Sequence, residues 1–202
     1  MVSESERLTR LINQTLDLAK IESGNADWHA TEVDLKALIE QSLAATSQLF
    51  LERGARVDLE LPEHLPKIQS DHDRLIQVML NLLSNAVKFL PPNAGWVRVS
   101  LAVGVHGVEV SVADNGPGIR ARDQQLIFEK FRQVGDSMTE KPAGTGLGLP
   151  ISRRIIEHFG GRLWVESQPG EGATFRFFLP FVQAGVATVS SSEQGVPVVE
   201  KT

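Results

Sequence analysis

Gly144-Thr145-Gly146-Leu147-Gly148-Leu149 lies downstream of a second glycine-rich run, Asp114-Asn115-Gly116-Pro117-Gly118. Glycine lets a backbone approach a ligand where a Cβ would collide. The later run opens directly into an apolar-periodic stretch, residues 149–159, which predicts a helix. The free N–H groups at such a helix start favour phosphate oxygens. Two loops in this order do not match the common alternatives. No Lys-Ser/Thr follows Gly148 as a P-loop needs, and no strand immediately precedes Gly144 as a dinucleotide fingerprint needs.

Outward from these loops, helices and strands alternate. Residues 34–54 read as a helix, with Asp34 as N-cap and Gly54 as its end. Residues 56–61 alternate as a strand, and a second helix runs from about Asp71 to Phe89. Strands at 96–103 and 108–113 flank a turn at 104–107. A short helix at 123–128 follows, then a polar, poorly periodic stretch. The helix at 149–159 leads through Gly160-Gly161 into strands at 162–167 and 173–179. Adjacent strands in hairpins predict a mixed, mostly antiparallel sheet with helices on one face: a two-layer α/β sandwich. Ahead of it, residues 4–22 read as a coiled-coil-like helix carrying Leu8, Leu11, Thr15 and Leu18. That helix either packs on its own domain or pairs with another helix. Residues 182–202, with Ser190-Ser191-Ser192, read as a tail or linker, expected to be disordered.

Composition excludes several classes. The 202 residues carry a formal net charge of −5, and the basic residues are scattered, against a nucleic-acid surface. Cysteine is absent, so disulfides and thiol chemistry are excluded. No run approaches the roughly twenty apolar residues of a membrane span. A cytoplasmic chain is expected, within a parent that could be membrane-anchored.

The helix up to Phe89 carries two stripes. Leu75, Val78, Met79, Leu82, Leu83 and Ala86 form a core face, whereas Gln77, Asn81, Asn85 and Lys88 form a polar one. Asn is an indifferent helix former, because its amide competes for backbone groups. Two Asn residues one turn apart are an odd choice for an inert surface. Magnesium keeps most of its waters, so one side-chain carbonyl plus phosphate oxygens can hold it. Lys88, one turn on, can reach a phosphate as a point charge. Asp114 ends a strand; it is a turn starter or a carboxylate that accepts from an exocyclic amine. Phe128 and Phe131 read as a hydrophobic anchor for one end of the polar stretch.

Taken together, these segments resemble the catalytic, ATP-binding domain of sensor histidine kinases, within the gyrase, Hsp90 and MutL-like ATPase superfamily. The resemblance covers roughly residues 31–181. Asn81-Leu82-Leu83-Ser84-Asn85-Ala86-Val87-Lys88-Phe89 is similar to its N box. Asp114 to Ile119 and Gly144 to Leu149 are similar to its two glycine boxes, Phe128-Glu129-Lys130-Phe131 to its F box, and Gly170-Glu171-Gly172 to its closing turn. It implies a Bergerat-type fold that binds ATP and Mg2+. It implies Asn85 as the magnesium ligand, with Asn81 and Lys88 near metal and phosphates as the catalytic set. It implies that Asp114 reads adenine and Phe89 lies against the base. Gly116, Gly118, Ile119, Phe131, Gly144, Thr145, Gly146, Leu147, Gly148 and Leu149 complete the nucleotide-binding set, with a lid over the phosphates between Gln133 and Gly144.

Residues 1–24 resemble the C-terminal part of the second dimerisation helix of these kinases. None of His29, His64, His72, His106 and His158 has the sequence context of the family's phosphoacceptor histidine. The resemblance therefore implies partners: the kinase's own dimerisation domain, which carries that histidine, in a homodimeric parent, and the receiver domain of a response regulator. A chain without the phosphoacceptor would be inactive alone in autophosphorylation. A gyrase- or Hsp90-like ATPase would carry a water-activating Glu where this chain has Asn81. A sigma-factor-controlling serine kinase fits the N-terminal helix poorly, and complete motif boxes argue against a non-enzymatic nucleotide-gated module.

Overall fold

The computed structural model describes residues 4–133 and 144–181. Most of the expected lid, and the tail, lie outside the described residues.

Helix α1, Glu4–Glu22, ends at Gly24, whose φ of 72° is the left-handed conformation glycine adopts most easily. A short strand β1, Ala30–Val33, leads into α2, Leu35–Arg53. Asp34 caps α2 by accepting from the N–H groups of Lys36 and Ala37, and Gly54 closes it in the left-handed region. Strands β2, Arg56–Glu60, and β3, Ile68–Asp71, precede α3, His72–Phe89. Asp71 caps α3 through Arg74 N–H at 3.1 Å and also accepts from His29 N–H at 2.8 Å. The remainder is β4, Trp96–Val103; β5, Gly107–Asp114; α4, Gly148–His158; β6, Arg162–Ser167; and β7, Ala173–Pro180.

The main sheet has the order β2-β4-β5-β7-β6, antiparallel except where β2 runs parallel to β4. Leu75, Val78, Met79, Leu82 and Leu83 of α3 and Ile151, Ile155 and Ile156 of α4 share one core with Val97, Val99, Val108, Val110, Val112 and Phe177 of the sheet. The expected sandwich is therefore the observed one. The opposite sheet face carries an ion-pair cluster, Arg176 bridging Glu109 at 2.9 Å and Glu166 at 3.0 Å.

One expectation is corrected, and one pairing was not expected. The helix expected at 123–128 is instead two 3-10 turns, Ala121–Asp123 and Leu126–Phe128. Gln124 between them donates from Nε2 to Ile119 O and Ser167 O, holding this segment to the glycine turn. Strands β1 and β3 form a two-stranded sheet that sequence periodicity did not reveal, because β3 buries the polar Ser70 and Asp71.

Helix α1 docks against α4 and α3 through its C-terminal half, where Leu18 is buried. Leu8, Ile12 and Leu16, at 56%, 49% and 57% exposure, form an exposed apolar face.

Candidate nucleotide site

Helix α3 presents Asn81, Asn85 and Lys88 as one polar stripe beside its buried apolar face. Asn81 Nδ2 donates to Gly148 O at 3.3 Å and to Ser152 Oγ at 3.1 Å, so the stripe meets the first turn of α4. Asn85 and Lys88 are half-buried, and neither side chain hydrogen-bonds any described residue. The Lys88 ammonium lies 5.0 Å from the Phe89 ring centre, and burial lowers its pKa.

At the other end of the stripe, β5 delivers Asp114, which is 6% exposed. Gly116 N–H donates to its Oδ1 at 2.8 Å. Burial raises the Asp114 pKa, while N–H groups of Gly116 and Ala173 partly offset the rise. A Cβ on Gly116 would sit 2.8 Å from Asp114 Oδ1 and 3.1 Å from Phe89 O, so only glycine leaves room there. Asp114, Gly116 and Phe89 are thus gathered at one place.

The first glycine turn is braced from behind. Gly118 adopts φ 72°, and Ile119 N–H donates to Ser167 Oγ at 2.8 Å while Ser167 donates to Gly172 O at 2.6 Å. Asn115 joins the ends of β4 and β5, accepting from Trp96 N–H and donating to Ala94 O.

The second glycine run forms the entry to α4. Gly146 has φ 71°, Leu147 is fully buried, and Leu147 N–H points to Thr145 Oγ1 at 3.3 Å. Thr145 donates in turn to Gln14 Oε1 of α1. Pro150 has no N–H to offer, so the anion-favouring amides belong to Gly148 and Leu149 and the turn before them.

The aromatic pair separates. Phe128 is half-buried against the core, whereas Phe131 is 60% exposed with φ 62°. The anchoring at that end is made by backbone, Phe131 N–H donating to Gly146 O at 3.0 Å. Gly144 accepts from Gln133 Nε2.

Sequence reading overlooked Gln14, Ser152 and Ser167. Ser152 left a signal, a polar residue among the isoleucines of α4; Gln14 and Ser167 act through tertiary contacts and left none. Among the described residues, no cluster of His, Cys, Asp or Glu could hold a metal alone. An amide oxygen completed by phosphate oxygens and water suits magnesium, and Asn85 fits that role.

Residues 70–183 match the family described as histidine kinase-, DNA gyrase B-, and HSP90-like ATPase. The chain is 35% identical over 209 residues to the sensor histidine kinase AruS of Pseudomonas aeruginosa, aligning 99% of itself with 20% of AruS. It is similar to full-length ShkA, solved in complex with AMPPNP, at TM-score 0.78 and 34% identity over 91% of this chain and 38% of ShkA. It is also similar to the catalytic domain of the histidine kinase ThkA, at TM-score 0.67 and 30% identity over 75% of this chain and 95% of that domain. ThkA has also been solved in complex with the response regulator protein TrrA. The chain spans a fifth of AruS and 47% of the adaptive-response sensory kinase SasA of Parasynechococcus marenigrum, so it matches only part of these curated relatives.

Proposed function

The chain belongs to the histidine kinase-, DNA gyrase B-, and HSP90-like ATPase family and carries the catalytic, ATP-binding domain of a two-component sensor histidine kinase; from this we propose how its residues divide the work. ATP binds between α3 and the start of α4. Asp114 accepts from the adenine amine and Phe89 lies against the base. Gly116, Gly118 and Ile119 form the adjoining turn, and Phe131 borders the entrance. Backbone from Gly144 to Leu149 meets the phosphates.

Asn85 would hold magnesium, with Asn81 and Lys88 beside it. When bound, magnesium supplies charge neutralisation at the phosphates. Lys88 adds a positive charge, and its half-buried setting strengthens that charge's reach. The observation that carries this reading is the half-buried Asn85 and Lys88, which hydrogen-bond no described residue although they share a stripe with Asn81.

In the full kinase the bond between the β-γ bridging oxygen and the γ-phosphorus breaks, and a phosphorus–nitrogen bond forms to a histidine of the dimerisation domain. ADP leaves, and the imidazole proton is taken up outside this chain. Catalysis by this domain rests on positioning and charge stabilisation. Asn81, where hydrolysing relatives need a carboxylate, disfavours attack by water.

Residues 1–24 are the C-terminal part of a dimerisation helix, 31–181 the catalytic domain and 182–202 a tail or linker. The exposed Leu8, Ile12 and Leu16 support pairing of α1 in a homodimeric assembly; its proposed location is the cytoplasm. The ThkA–TrrA complex supports a receiver domain as downstream partner.

The test uses γ-labelled ATP. The chain alone should acquire no stable phosphohistidine. Adding the matching dimerisation domain should label that domain, and Asn85→Ala should suppress the labelling. Acid-labile label on one of the five histidines of this chain would contradict the reading.

A further inference from the structure

Ser152 is fully buried on a face of α4 otherwise built from Pro150, Ile151, Ile155 and Ile156. A hydroxyl in such surroundings is costly unless it is paired. Its partner is not in its own helix turn but on the neighbouring helix α3: Ser152 Oγ accepts from Asn81 Nδ2 at 3.1 Å. The same nitrogen donates to Gly148 O at 3.3 Å.

The first of these acceptors holds the amide and the second decides which of its ends points where. A terminal amide torsion is broad, so its own preference does not choose between the two orientations. A carbonyl oxygen only accepts, so Gly148 O selects the nitrogen. Ser152 takes the second N–H over the shorter distance. With both N–H groups committed, Oδ1 is the atom left over, and it accepts no hydrogen bond from any described residue. It lies beside Gly148, where an added Cβ would approach it to 3.2 Å. The glycine at that position gives the oxygen its room, at the first turn of α4.

We propose that Ser152 is a positioning residue for the magnesium–phosphate end of the site: it holds the Asn81 amide in place, while Gly148 O sets which end of that amide, its oxygen, is left for the ligand. An inverted amide would present two N–H donors toward a cation and its bound waters, which is repulsive. Ser152 thereby couples the helix that carries the metal-facing stripe to the helix whose start meets the phosphates. The inference rests on the nucleotide reading above.

The test is calorimetric titration of the 202-residue chain with AMPPNP, once with magnesium and once with EDTA. Ser152→Ala should weaken binding with magnesium by about fivefold, the worth of one hydrogen bond. Its affinity in EDTA should stay near wild type. In an Asn81→Ala background, Ser152→Ala should have no further effect. Ser152→Cys, slightly larger than serine and a weaker acceptor, fills the site that alanine would leave empty; it should shift binding in the same direction, and serves if the alanine variant does not fold. An unchanged magnesium-dependent affinity, while Asn81→Ala loses its own, would overturn this inference alone. So would an equal loss in both conditions that adds to that of Asn81→Ala, since it would mark a packing role. A wild-type affinity identical with magnesium and with EDTA would overturn the site reading and this inference with it.

Discussion

Arg74 Nη1 donates to Asp17 Oδ1 over 2.6 Å, tying α1 to the first turn of α3. Both side chains are about four-fifths shielded, at 21% and 19% exposure. Gln77 completes the contact, donating from Nε2 to Asp17 Oδ2 at 2.9 Å and accepting from Arg74 at 3.1 Å. Gln77 stands one turn before Asn81 on the polar stripe, so the residues that seat α1 and those that face the nucleotide share one helix face.

Removing Asp17 leaves two partly buried donors unpaired. Asp17→Ala should therefore destabilise the chain by about 1–3 kcal/mol in urea denaturation. Amide exchange in α1 should speed up more than exchange in β4 or β5. Uniform acceleration across the molecule, or none in α1, would show that this contact does not hold the helix.

Asp114 sets stability against binding. Burial raises its pKa, so the ionised carboxylate is disfavoured in the folded chain. The sign follows: a raised acid pKa favours folding at low pH, and that benefit is lost as pH rises from the ordinary aspartate value of about 3.9 through the higher folded value. At neutral pH, Asp114→Asn should melt higher than wild type, and the gap should close in acid. The same substitution should abolish stabilisation by ATP, because an amide turned to satisfy Gly116 N–H loses the second acceptor. Wild type should prefer ATP to GTP, whose ring carries a carbonyl where adenine has its amine. Equal stabilisation of wild type by GTP would remove Asp114 from the adenine site.

The linker after α1 reports pH through a second group. Trp28 stacks on His158 with centroids 3.7 Å apart and planes 8° apart, and the Arg74 guanidinium lies 5.5 Å from the Trp28 ring centre. Desolvation lowers the His158 pKa below 6.5, against the opposing influence of Asp71. A depressed histidine stabilises the fold above 6.5, and that contribution is lost as pH falls through the lower folded value. His158→Phe keeps a stacking ring without a charge. Its melting temperature should fall less than that of wild type between about pH 7.5 and 5.5. Parallel curves for the two proteins would mean that His158 protonation is not linked to folding.

What could be read from sequence was local. Asp34, Gly54 and the Asp71 start of α3 are caps whose chemistry sits within a few residues, and the structure places them as caps. Strands β4 and β6 were legible because alternation or turn glycines mark their ends. The two glycine runs and the polar stripe were legible because each breaks a propensity rule. The β1–β3 ribbon was not, since its pairing partner is remote and Ser70 and Asp71 look like loop residues. Phe131 misled for a related reason: an aromatic residue suggests burial, but its positive φ turns it outward and leaves the backbone to make the contact. Gln14 and Ser167 matter only through what faces them across an interface.

Gly146 and Gly24 offer a controlled comparison of backbone strain with collision. Both occupy the left-handed region, at φ 71° and 72°. At Gly24 an added Cβ would meet nothing within 4 Å. At Gly146 it would lie 2.8 Å from Phe131 C, 2.9 Å from Phe131 Cα and 3.0 Å from Arg132 O, all backbone atoms. Gly24→Ala should thus lose only the conformational part, about 1–2 kcal/mol. Gly146→Ala should lose that and more, because the only relief is to part the Phe131–Gly146 backbone contact. Parting it moves the start of α4, so ATP affinity should fall for Gly146→Ala and stay unchanged for Gly24→Ala. Paired urea melts and nucleotide titrations decide the matter. Equal losses of stability with equal ATP affinities would show that the Phe131 contact gives way without cost, and that Gly146 is needed only for its φ.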